Sequence, residues 1–174
     1  MRVLLFWSLV FFIANLLSAG AAVAKSPVFK KKEQQCLAQN IYFEARGEPA
    51  AGQLAIGLVT MHRVNSKRYP NNFCGVVWQR KQFSWTHDGK SDRPRDRRAW
   101  KRAQQIANFV FNRYSTLSDK LRKRIDITNG ALHYYAPDLA NPYWAKVKVV
   151  TREIGGHVFL REMSRRERRE HRNT

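Results

Sequence analysis

Tyr-Phe-Glu-Ala-Arg-Gly-Glu-Pro, residues 42–49, closes an amphipathic stretch with a single acid set into its apolar stripe. Read as a helix from about Lys32, Leu37, Ile41 and Glu44 fall at i, i+4 and i+7 and share one face. That face is apolar until it reaches Glu44. A carboxyl there loses water, which raises its pKa toward neutrality, the state a general acid needs. Glutamate on a helix is most often a solvated surface residue; the apolar face and the glycine break one turn later argue for more. Arg46-Gly47-Glu48-Pro49 must end the helix, and Pro49 suits the first turn of another. Glu48 reads as structural, neutralising that helix start or pairing with Arg46.

Working outward, residues 50–65 carry Leu54, Ile56, Leu58, Val59 and Met61 around most of a helical circumference, the pattern of a central buried helix. Phe73 to Trp78 is a short apolar piece. Gln82-Phe83-Ser84-Trp85 alternates polar and aromatic, as a strand or groove lip does. Trp100, Ala103, Ile106, Ala107, Val110, Phe111 and Tyr114 predict a third helix by their spacing. Ala131 to Tyr135 reads as a strand, and Lys146–Ile154, Gly155-Gly156 and His157–Leu160 as a hairpin. Residues 25–32 read as a basic linker, 33–161 as the folded domain, and 162–174 as a solvated, disordered, electrostatically adhesive tail.

The 174 residues allow one domain. Arg2, the apolar run Val3–Leu17 and Ala22-Val23-Ala24 have the order of a signal peptide over residues 1–24, cleaved or kept as an anchor through residues 3–17. The run is short of the roughly 20 residues that span a bilayer. The expected location is therefore the periplasm, the cell wall or the exterior. There Cys36 and Cys74 are expected to pair, two buried thiols being the alternative. The formal charge is +19, with 32 Lys and Arg against 13 Asp and Glu. Inside a cell such a field would suggest nucleic acid; after export it suits the carboxylates of murein or anionic envelope surfaces.

Phe83, Trp85, Tyr134, Tyr135, Tyr143 and Trp144 lie outside the helical patterns. They fill a small core or line a groove whose rings stack on sugars, with Gln82, Ser84 and His133 as polar partners. His133 and His157 could join Glu44 or Glu48 around a metal, but no His-x-x-x-His or His-Glu-x-x-His spacing supports that. Neither a metal nor a cofactor is expected. Asp88, Asp92 and Asp96, each a possible second carboxylate, sit in an Arg-rich stretch and read as surface ion pairs.

Cys36-Leu-Ala-Gln-Asn-Ile-Tyr-Phe-Glu-Ala-Arg-Gly-Glu-Pro49, Gly52-Gln53 and Met61-His-Arg-Val64 resemble the opening of the SleB-type cell wall hydrolases, the family of spore-cortex-lytic enzymes. Tyr69-Pro70, Phe73-Cys-Gly-Val-Val-Trp-Gln79, Gln82-Phe-Ser84, Gly130-Ala-Leu-His-Tyr-Tyr135, Asn141-Pro-Tyr-Trp144 and Ile154-Gly-Gly-His-Val-Phe159 continue it in family order. Leu132, Tyr135, the segment Thr86–Arg98 and the basic tail depart from the pattern. The resemblance implies an α+β, mainly helical, lysozyme-like single domain with a small β element. It also implies cleavage of peptidoglycan glycan strands, with the catalytic glutamate on Glu44. Gln82, Phe83, Ser84, His133 and Tyr134 become groove residues, beside Trp85, Tyr135 and Trp144.

Glycosidases that use water usually need two carboxylates. Only one well-placed acid is found here, which suffices if the nucleophile belongs to the substrate. The expected enzyme is therefore a monomeric lytic transglycosylase, or a muramidase, cutting the β-1,4 bond between N-acetylmuramic acid and N-acetylglucosamine. It would serve wall degradation or phage-type lysis. A non-catalytic cationic envelope binder or membrane disrupter, and a His-ligated metallohydrolase, are the alternatives.

Overall fold

The structure, a computed structural model, describes residues 26–173. The expected signal segment 1–24 and its tether 3–17 lie outside the described residues. Six helices and three strands are named here: α1 Pro27–Ala45, α2 Ala50–Val64, α3 Phe73–Val77, α4 Arg97–Asn108, α5 Asp119–Ile125, β1 His133–Tyr135, β2 Lys148–Ile154, β3 His157–Glu162 and α6 Arg165–Arg172. No helix among the described residues is long and apolar enough to cross a membrane.

α1 starts five residues earlier than its apolar pattern. Ser26 accepts from the Phe29 amide at 3.2 Å and Pro27 occupies the first turn, a start signal in which the missing proline N–H costs nothing. Residues 27–32 are thus the first turns of α1 and not a linker; their lysines lie exposed. Leu37 and Ile41 are fully buried on the predicted face and pack with Leu58 and Met61 of α2, Ala103 and Ala107 of α4, and Val110 and Tyr114 beyond it. Gly57 lets α1 come close to α2: a Cβ there would sit 3.2 Å from Ile41 Cδ1 and 3.3 Å from Val110 Cγ2.

Two links tie α1 to α3. Cys36 and Cys74 form a disulfide. Buried Glu33 accepts from the amides of Phe73 at 2.6 Å and Cys74 at 3.3 Å, placing negative charge where the N-terminal amides of α3 lack helical partners.

The sheet is antiparallel, in the order β1-β3-β2. It packs on the helices through Phe159, which meets Ala45, Ala55, Ile56, Val59 and Ala131. Gln82–Trp85 is not a strand. Ser84–His87 is a 3-10 turn with Trp85 inside, stacked on Phe43 at 4.7 Å and donating from Nε1 to Asn40 Oδ1 at 3.3 Å. Nor is the tail irregular. Glu162 ends β3, and α6 follows with a capping box between Ser164 and Glu167, Arg161 binding Glu167 at 2.8 and 2.9 Å. Its charge run hides a Ser-x-x-Glu start.

Candidate active site

The C-terminal turn of α1 places Glu44 at a cleft of about 470 Å3. α2 contributes Arg63, the turn after α3 Lys81 and Gln82, the following segment Phe83 and Ser84, β1 His133 and Tyr134, the 3-10 turn Tyr143–Val147 Trp144, and the start of β2 Lys148. Glu44 is the only acid among the lining residues. Desolvation raises its pKa, opposed by the hydroxyl of Tyr134 and the charge of Arg63. Tyr134 Oη donates to Glu44 Oε2 at 2.8 Å, across 90 residues of sequence. Burial, then the neighbouring Glu44 charge, push the phenol well above its ordinary pKa, so it remains an O–H donor while Glu44 titrates.

Trp85 and Tyr135 are not brought to this cleft. Trp85 lines a neighbouring cavity of about 640 Å3 with Phe43, Asp88, Asp92 and Asp96, the two spaces meeting at Ser84. The larger space is not where the acid sits. Its Asp96 is committed to the start of α4, where backbone N–H bonds from Ala99 and Arg98 lower its pKa. Tyr135 stands edge-on to Trp144, ring centres 6.0 Å apart.

Glu48 is outside the lining and latches the hairpin. Its Oε2 accepts from Gly156 N at 2.8 Å, its Oε1 lies 3.6 Å from His157 Nδ1, and its carbonyl accepts from Gln53 Nε2 at 2.8 Å. It pairs with the β2–β3 turn, not with Arg46. Gly155 in that turn has φ +59° and a Cβ there would overlap Glu48 Oε2. Gly155→Ala therefore meets left-handed backbone strain and a clash together, and is expected to destabilise the fold by about 2 kcal/mol or more. An unchanged urea midpoint would remove this account of the latch.

Glu162, unnoticed in the sequence, gathers cations behind the cleft wall. Its Oε1 lies 2.7 Å from Lys148 Nζ, 2.8 Å from His133 Nε2 and 3.2 Å from Arg68 Nη1. Burial raises the pKa of Glu162, and hydrogen bonds from Lys148 and His133 outweigh it, leaving the carboxyl below its ordinary range. Burial lowers that of His133 against the pull of Glu162. His157 is held separately beside Glu48, and among the described residues no three His, Cys, Asp or Glu side chains gather as metal ligands. The metallohydrolase alternative thus lacks a donor set there.

Residues 47–160 match the family described as Cell Wall Hydrolase. A spore cortex-lytic enzyme from Halalkalibacterium halodurans is 32% identical over 131 residues, 75% of this chain and 35% of that protein. One from Bacillus cereus is 29% identical over 140 residues, 76% of this chain and 46% of that protein. The chain thus matches less than half the length of these relatives. Among solved structures, the catalytic domain of the Bacillus cereus SleB protein aligns with TM-score 0.57 and 29% identity, covering 75% of this chain and 91% of that domain. The catalytic domain of a germination-specific lytic transglycosylase SleB from Bacillus anthracis gives TM-score 0.58 and 29%, covering 75% and 95%. With its matched span, its lysozyme-like, mainly helical fold and its three-stranded sheet, this chain belongs to the Cell Wall Hydrolase family.

Proposed function

We propose that this protein cleaves peptidoglycan glycan strands by a single-glutamate lytic transglycosylase reaction at the β-1,4 bond between N-acetylmuramic acid and N-acetylglucosamine. One observation carries the reading. The sole acid lining the cleft is kept toward its neutral form, with one oxygen already engaged by Tyr134. The relatives' names agree with it: spore cortex-lytic enzyme and germination-specific lytic transglycosylase. The leader read in residues 1–24 would bring such an enzyme to the wall.

Because Oε2 accepts from Tyr134, the acidic proton rides on Oε1, free to reach the glycosidic oxygen. As that proton transfers, the muramyl C1–O bond breaks, its electron pair leaving with the N-acetylglucosamine 4-hydroxyl. The muramyl 6-hydroxyl then attacks C1, closing a 1,6-anhydro ring. Its proton returns to Glu44, so no water is consumed. The carboxylate formed midway is stabilised by Tyr134 and Arg63. Mass spectrometry of digested sacculi tests the route. Anhydro-muramyl ends, one water lighter, are expected; reducing ends alone would mean water is the nucleophile and the enzyme a muramidase.

Tyr134→Phe removes a hydrogen bond that favours the ionised acid. Turnover is expected to fall about tenfold or more. The alkaline limb of the pH profile should also move upward, because Glu44 then holds its proton to higher pH. Lower turnover with an unmoved limb would restrict Tyr134 to packing.

A further inference from the structure

Arg63 is 4% exposed, yet its Nη1 has no hydrogen-bond partner. Nε donates to Leu132 O at 2.8 Å, and the guanidinium carbon stands 5.3 to 5.7 Å from the ring centres of Phe83, Tyr69 and Tyr134. A buried charged donor left unfilled is costly. The residue that carries it lines the cleft. Two further cations reach the same space by separate devices. Lys148 is fixed by Glu162 at 2.7 Å, its side chain only 12% exposed. Lys81 is carried on a backbone with φ +61°, strain that persists where a site makes use of it. Against these stand Glu162, which offsets one charge from behind the wall beside Arg68, and Glu44, which burial biases toward neutrality. The cleft is therefore cationic where a neutral sugar polymer would need no charge.

We propose that Arg63, Lys81 and Lys148 form a carboxylate-receiving wall, which selects muramyl glycans over uncharged N-acetylglucosamine polymers. The inference rests on the peptidoglycan reading of the cleft. The carboxylate has two possible sources: the lactyl group of a stem-free muramyl residue, or the peptide stem that otherwise occupies it. Arg63 supplies the desolvated donor, and the two lysines add attraction along the lining, where charge complementarity discriminates between ligands.

Calorimetric titration of the full-length Glu44→Gln protein separates the possibilities. Its probes are a stem-free muramyl tetrasaccharide, the same glycan bearing its stems, and chitotetraose. Chitotetraose is expected to bind at least about tenfold more weakly than one of the charged glycans, and whichever of those binds tighter names the source. Lys81→Met and Lys148→Met should each weaken that glycan by about three- to tenfold, and Arg63→Met by about tenfold or more, each costing the charged glycan more than it costs chitotetraose. The lysine variants carry the test should Arg63→Met fail to fold. Equal affinity for all three probes, or variants that weaken chitotetraose equally, would overturn the wall. Wild-type cleavage of sacculi is scored separately. Cleavage without discrimination defeats only this inference, and discrimination without cleavage defeats only the enzymatic reading.

Discussion

Glu44→Gln is expected to eliminate loss of turbidity from purified sacculi, by a factor on the order of a thousand or more, while leaving the fold intact. General acid–base catalysis contributes about a hundred- to ten-thousandfold, and here one side chain serves as acid and then base. Glutamine keeps the size of the side chain and can still accept from Tyr134 Oη, but it has no proton of suitable acidity to give. The substitution therefore isolates chemistry from architecture. Circular dichroism and melting should match the wild type, since the bond from Tyr134 is kept and the ionised form of Glu44 is already disfavoured. Residual lysis near the wild-type rate would instead support the rival view, that the +19 charge disrupts envelopes without catalysis.

The second large effect belongs to the disulfide. Cys36 and Cys74 are 38 residues apart, and opening a loop of that length costs about 4 kcal/mol on the chain-entropy argument. Cys36→Ser with Cys74→Ser should lower the urea midpoint by a corresponding amount. The expected loss is large beside a typical domain stability of roughly 5–15 kcal/mol. Glu33 would still hold the start of α3, so the native arrangement should survive at low temperature with activity retained. A double variant as stable as the parent would show that the cross-link restrains nothing the buried Glu33 does not already hold.

The parts of this molecule visible in its sequence are those written in local pattern. Leu37 and Ile41 announce the buried face of α1, and Ala103 and Ala107 that of α4, because helical spacing needs no distant partner. The family motifs mark Glu44, Gln82, Phe83, Ser84, His133, Tyr134 and Trp144, all of which line the cleft. What stayed hidden depends on long-range pairing. Nothing local marks Glu33 or Arg63 as buried: helix α3, 40 residues on, and the Leu132 carbonyl, 69 residues on, supply their partners. Glu162 lay inside a charge run, its role set by His133 from another strand. The aromatic neighbours of Trp85 suggest a groove position, whereas Asn40 and Phe43 draw it inside. Two signals are local. Ser26-Pro27 begins α1, and Ser164 with Glu167 begins α6, each masked by surrounding lysines or arginines.

The contact from Tyr134 to Glu44 joins the first strand to the first helix across 90 residues, so the acid acquires its hydroxyl partner only once the C-terminal portion has docked. A chain emerging N-terminus first therefore presents Glu44 long before the hydroxyl that holds its Oε2.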